Sequence, residues 1–197
     1  MKKILTFFLF SIIFIFNTNI SFSIEPDVFI QSTVNRAADT LSSNLSKEER
    51  IEELKQIARD TVDIDGIGLY SLGSHRKDLN KNQLSDYKRV FEQYFLKSFS
   101  SRLAEYSNPE IEVISKNKIN ENYTIVLSKL VGTDTRPEVK IEWRVYTKNL
   151  DNLLIRDLII EGLSLARTQK EEFNSIINSN NGNIEALLKN LTNFSST

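Results

Sequence analysis

Apolar residues recur along this chain at helical spacing in its first half. After residue 110 they fall at every second position, and from about residue 168 they return to helical spacing. Pro26 suits a first helical position, ahead of Val28-Phe29-Ile30 and a polar stretch to about Asn44. Ser46 and Glu49 have capping-box spacing, and Ile51, Leu54, Ala58 and Val62 then form one apolar face. Lys47, Glu48, Arg50, Glu52, Glu53 and Lys55 cover the remaining faces as a solvated surface. The run from Ile64 to Gly73 predicts a short irregular helix ended by a left-handed cap at Gly73. A long helix is expected from about Asn82 to Tyr106, with Leu84, Tyr87, Phe91, Tyr94, Phe95, Phe99 and Leu103 as a heavily aromatic face.

The change of period marks the sheet. Ile111-Glu112-Val113 opens one strand, Asn120-Glu121-Asn122 reads as a turn, and Tyr123 to Val131 makes a second strand. Val139 to Val145 alternates apolar and polar without a break, as a half-buried strand does. Leu153 to Ile160 is apolar except for Arg156 and Asp157, and Gly162 is expected to end the sheet. Short connections favour an antiparallel meander. Thr168 and Glu171 form another capping-box pair before Phe173, Ile176 and Ile177. Asn181-Gly182 is a turn, and Ile184, Leu187, Leu188 and Leu191 stripe a last helix. The expected fold is α+β: an antiparallel sheet of about four strands with helices packed on one face.

Ahead of these elements, Lys2 and Lys3 precede an apolar run from Ile4 to Phe16, and Ser21-Phe22-Ser23 presents small residues for cleavage after Ser23. Residues 1–23 therefore read as a signal peptide and 24–197 as a single exported domain. The run is short for a membrane span, and no cysteine follows it to carry a lipid anchor. Losing Lys2 and Lys3 takes the formal charge from -1 to about -3, which offers nothing to a nucleic acid. With Cys at 0, thiolate metal sites, thiol nucleophiles and disulfides are all excluded, so stability must come from packing.

Catalytic chemistry finds little footing. The one histidine, His75, lies in the polar stretch His75-Arg76-Lys77 without an identifiable acid or nucleophile beside it. Asp63 with Asp65, or Asp157 with Glu161, could serve as acid and base. Asp63 more simply caps or ends a helix, and Arg156 and Asp157 read as a structural pair. Gly66, Gly68 and Gly73 lack the strand and the Gly-Lys-Ser/Thr ending of a phosphate loop. The aromatic stripe facing an apolar sheet has two readings, an ordinary core or the wall of an apolar pocket, and periodicity alone does not separate them.

The order of these pieces resembles the MlaC family, the toluene-tolerance-type periplasmic phospholipid-binding proteins. The resemblance rests on Asp63-Ile64-Asp65, Leu72-Gly73 with Arg76, and Gln83 leading into the Phe91 to Tyr106 helix. It continues through Trp143-Arg144-Val145, the run from Arg156 to Ser164, then Arg167, Phe173 and the closing Ile184, Leu187, Leu188 and Leu191. His75 departs from it, standing where family members often carry Trp. What the resemblance implies is a non-enzymatic periplasmic carrier, with phospholipid as cargo and neither cofactor nor metal. It would hold acyl chains between helices and sheet and leave the headgroup in solvent. Its partners would be an outer-membrane lipoprotein–porin complex and an inner-membrane ABC transporter with an MCE-domain subunit, and its role the upkeep of outer-membrane lipid asymmetry. The cavity wall is then expected at Ile67, Leu69, Tyr70, Phe91, Phe95, Phe99, Ile125, Leu127, Ile141, Trp143, Val145, Leu158 and Ile160. A periplasmic adaptor or assembly protein with a filled core, and a small pocket enzyme, are the alternatives.

Overall fold

Pro26 does open a helix, α1 (Pro26–Ser42), whose face of Ile30, Thr33, Val34 and Leu41 is buried. A computed structural model of the chain describes residues 24–106 and 108–196; the expected leader and its cleavage point lie outside the described residues. Helix α2 (Lys47–Thr61) starts on the expected capping box. Glu49 N donates to Ser46 Oγ, and the Glu49 carboxylate accepts from Ser46 N at 2.8 Å. That backbone bond, with the Ser46 hydroxyl, holds the Glu49 carboxyl below the ordinary range.

Asp63 caps α3 (Ile64–Ser71) by accepting from Gly66 N. Gly68 lets α3 approach α4 (Lys81–Leu103): a Cβ there would stand 2.7 Å from the Phe91 ring. Gly73 takes the left-handed conformation expected of it, at φ +58°. It leads into a 3-10 turn, Gly73–Lys77, rather than straight into a loop.

Five strands follow in a simple antiparallel meander: β1 (Ile111–Asn120), β2 (Tyr123–Leu130), β3 (Val139–Tyr146), β4 (Leu154–Ile160) and β5 (Leu163–Ser164). The fold is α+β, as expected. Gly162 does not end the sheet. With Glu161 it forms a tight turn, both residues at positive φ, that returns the chain as a short fifth strand. The outer edge of β1 is covered by one side chain: the Gln31 amide donates to Ile111 O and accepts from Val113 N, standing in for a neighbouring strand.

Strand β4 carries a bulge. Val145 pairs with Ile155 and Arg144 with Asp157, leaving Arg156 as the extra residue. Side chains alternate along a strand, so without that insertion Ile155 and Leu158 would face opposite ways. With it, Ile155, Leu158 and Ile160 all share the face of Val145, Trp143 and Ile141. The two polar residues then turn to different partners. Arg156 Nε donates to Asp63 at 2.6 Å, its Nη1 donates to Tyr123 Oη at 2.9 Å, and its guanidinium lies 3.6 Å from the Tyr146 ring centroid. Asp157, buried, accepts from Ala166 N and from Ser164 Oγ. Arg156 and Asp157 are structural, but not as a pair with each other.

Asp157 also moves the start of α5 (Leu165–Ser179). The cap is Ser164, not Thr168; Thr168 lies inside the first turn and donates to Ser164 O. A carboxylate from the sheet overrode the local capping signal. Helix α6 (Ile184–Ser196) follows the Asn181-Gly182 turn and packs on α4 and α5. Because Asp157 is a buried acceptor for two donors, Asp157→Ala should lower unfolding free energy by about 2–4 kcal/mol. Urea denaturation followed by circular dichroism measures this, and a loss below about 1 kcal/mol would contradict the account.

Candidate functional site

The register divides the sheet into two unlike faces. Along β2, Thr124, Val126, Ser128 and Leu130 are buried, while Tyr123, Ile125, Leu127 and Lys129 between them are half-buried. Residues directly opposite in an antiparallel pair share a face. Val126 is opposite Trp143, Ser128 opposite Ile141, and Thr124 opposite Val145, so these form the helix-facing side. Ile125 and Leu127 are opposite Arg144 and Glu142. They belong to the other, polar side and do not line anything between sheet and helices, contrary to expectation. An unbroken apolar spelling, Ile125-Val126-Leu127, conceals which of its residues point inward.

The helix-facing side is itself divided. Val126, Val145 and Ile155 are packed into one core with Ile30, Ile67, Phe91, Phe173, Ile177 and Leu187. The Phe91 ring meets Phe173 edge-on at 6.0 Å and Tyr87 in a stack at 5.7 Å. Tyr87 donates to Gly68 O at 2.8 Å, and burial pushes its phenol far above the ordinary range, so it stays a neutral donor. Burial likewise raises Tyr94, whose hydroxyl is bonded to Gln169.

Toward the other end of the strands, the same face is less completely buried. Leu130 and Ile141 are buried yet belong to neither packed core cluster among the described residues. Leu158 and Ile160, on the same face, are only half-buried. Trp143 is half-buried too and is anchored there by donating to Ser128 Oγ at 2.8 Å. From the helices, Phe95 and Phe99 stack at 5.8 Å and pack against the edge of the core, half-buried. The helix backbones that approach the sheet most closely do so near its margins, α1 on β1 and β2 and α3 with α5 at β4.

The expected wall residues therefore separate into groups. Ile141, Trp143, Leu158 and Ile160 share the less buried end of the sheet face, and Phe95 and Phe99 are half-buried on α4. Ile67, Phe91 and Val145 are core, and Leu69 is half-buried on α3. Tyr70 is exposed on the outside of α3, its ring 5.1 Å from Lys170 Nζ, and lines no interior. Leu130 went unremarked in the sequence because the strand after it breaks into a loop.

Catalytic geometry is thin. His75 and Asp78 line a shallow hollow of about 240 Å³ with Leu79, Gln83, Gly182, Asn183 and Ile184, a set without a Ser, Cys or Lys nucleophile. Among the described residues no group of three or more His, Cys, Asp or Glu side chains is placed to hold a metal ion.

The sequence pattern of the family described as MlaC protein matches residues 31–193. The chain belongs to that family. The MlaC pattern thus spans every element from α1 into α6. A solved structure described as the phospholipid-binding protein from Ralstonia solanacearum in complex with a phospholipid superposes with a TM-score of 0.73 at 16% identity. It covers 88% of this chain and 98% of its own. At that identity the likeness speaks for the fold alone. No curated protein matches the chain in sequence.

A sheet face packed at one end and loose at the other has a stability signature. Val126→Ala and Val145→Ala, in the filled half, should each cost on the order of 2 kcal/mol, and Leu158→Ala and Ile160→Ala less than about 1 kcal/mol. Urea midpoints of the four variants, taken without added lipid, test this; equal losses at all four would mean that both halves are filled.

Proposed function

We propose that this MlaC-family chain is a periplasmic phospholipid carrier that holds acyl chains between α4 and the loosely packed end of the sheet. The observation that carries the reading is the set Phe95, Phe99, Trp143, Leu158 and Ile160. These are apolar side chains from helix and sheet that border the core without being buried in it. Residues left this way are a standing cost in water unless something apolar covers them. The phospholipid held by the Ralstonia protein of the same fold supports a lipid as that cover. Export to the periplasm is supported by the charged start and apolar run in residues 1–23.

Mechanistically, the requirement is balance rather than strength. Burying roughly thirty methylenes is worth about 25 kcal/mol against water, and a bilayer offers a similar gain. A carrier whose wall matches the bilayer can exchange lipid with little net cost, and a docking partner can tip the direction. We take the partners to be an inner-membrane ABC transporter with an MCE-domain subunit and an outer-membrane lipoprotein–porin complex, serving lipid asymmetry. Aromatic and aliphatic walls suffice for this, and no bond need be made or broken.

Organic extraction of the purified protein followed by mass spectrometry should release phospholipid in stoichiometric amount; an empty extract would sink the carrier reading. The single tryptophan gives a second readout. Phospholipid with brominated acyl chains should quench Trp143 fluorescence on uptake. Ile160→Arg should abolish uptake, whereas Leu127→Arg, on the outward face, should leave it intact.

A further inference from the structure

A serine stands among the apolar residues on the helix-facing side of the sheet. Ser128 of β2 is wholly buried opposite Ile141, and Val126, two residues before it on the same face, is opposite Trp143. Ser128 and Trp143 are therefore diagonal neighbours, a spacing that long or aromatic side chains can bridge. The indole does so: Trp143 Nε1 donates to Ser128 Oγ at 2.8 Å. The serine hydroxyl in turn donates to Ile141 O, at a longer 3.4 Å. A hydroxyl carries one hydrogen and two lone pairs, so both contacts form together.

Neither residue suits that face alone. A hydroxyl or an indole N–H buried without a partner costs about as much as a lost hydrogen bond, and here each answers the other. The pair also bears on the proposed lipid site. Of Phe95, Phe99, Trp143, Leu158 and Ile160, only Trp143 carries a polar side-chain atom, and that atom is a donor. Trp143 is half-buried at the border of the core, so packing does not confine its ring on every side. An indole free to turn there would bring its N–H to water, because hydrocarbon offers it no acceptor. Turning would carry the ring out of the wall. Ser128 opposes this from the side away from solvent, since its hydroxyl is buried against the sheet.

We infer that Ser128 is a positioning residue of the lipid site, acting through Trp143 rather than on the cargo. By holding the indole N–H against β2, it keeps the ring in the wall and leaves only carbon facing the acyl chains. The inference rests on the carrier reading and deepens it. A wall that must match a bilayer has to match an interior without hydrogen-bond partners, and Ser128 is what makes a tryptophan acceptable there. A phenylalanine at position 143 would still lie between Val126 and Leu158, its neighbours across the strands, and would need no acceptor. Ser128 therefore matters to the cargo only while position 143 is tryptophan.

A double-mutant cycle tests this, read by phospholipid uptake and by the emission of the single tryptophan. In Ser128→Ala the emission should move to the red, and brominated acyl chains should quench it less. Uptake should fall about tenfold, the worth of one hydrogen bond. In a Trp143→Phe background, Ser128→Ala should leave uptake where Trp143→Phe has set it. Should Ser128→Ala not fold, as circular dichroism would show, Ser128→Cys takes its place with the same expectations, its sulfur being a weak acceptor. An equal loss of uptake in both backgrounds would make Ser128 a packing residue and overturn the inference. Unchanged uptake, or a fall in uptake without the shift in emission, would do the same. So would raised uptake, which would mean that the freed N–H bonds a lipid oxygen. If wild-type protein takes up no lipid, the carrier reading itself falls and the inference with it; in every other case only the role of Ser128 is decided.

Discussion

The insertion of Arg156 into β4 is the constraint on which the rest of the molecule depends. One extra residue rotates the remainder of the strand by half a pleat. Ile155 on one side of it and Leu158 and Ile160 on the other then face the same way, although their spacing in the chain would separate them. The bulge also turns its two polar residues to separate partners. Arg156 binds the Asp63 that caps α3 and lies on Tyr146, while Asp157 accepts from Ala166 N in the first turn of α5 and from the Ser164 hydroxyl. The sheet, the α2–α3 junction and the start of α5 are all located by two adjacent side chains. Asp157 is withdrawn from water and Arg156 partly so, and the hydrogen bonds each has found offset that cost.

That arrangement explains why helices cover the sheet unevenly. Helices α3 and α5 are tied to β4 by Asp63 and Asp157, and α1 is tied to the opposite edge by Gln31 and by Lys116, which bonds both Glu25 and Asp27 at 2.7 Å. The elements between, above all α4, are held by other helices. A core forms where α4 meets α3 and α5, around Phe91 and Phe173. Farther along α4 the aromatic residues Phe95 and Phe99 continue the stripe, half-buried against the edge of that core. The proposed carrier role needs such a split: one half packed tightly enough to keep the fold when empty, the other able to part for hydrocarbon. A uniformly filled interior would be more stable and could take up nothing.

Charge follows the same division. Most ion pairs are exposed and join neighbouring elements, where each contributes little. Arg136 stands apart as a half-buried cation without a carboxylate partner among the described residues, its guanidinium 5.6 Å from the Tyr106 ring centroid.

Much of this architecture is legible in the chain itself. The capping box at Ser46 and Glu49, the left-handed Gly73, the aromatic period of α4, the change to alternation after residue 110 and the turn at Asn181-Gly182 are local signals. They depend on backbone geometry within a few residues, so neighbours in sequence are enough to specify them. The sequence by itself therefore determined the class of fold, the order of its elements and the apolar character of the surfaces that meet. It could not show which of Ile125, Val126 and Leu127 point inward, because a run apolar on both faces carries no alternation and only the register against Arg144, Trp143 and Glu142 decides. Nor could it place the cap of α5 at Ser164, since the deciding carboxylate arrives from another strand. The tertiary structure alone decided which apolar side chains are packed and which are left uncovered: that depends on how far apart two surfaces are held, and distance between elements is set by contacts remote in the chain.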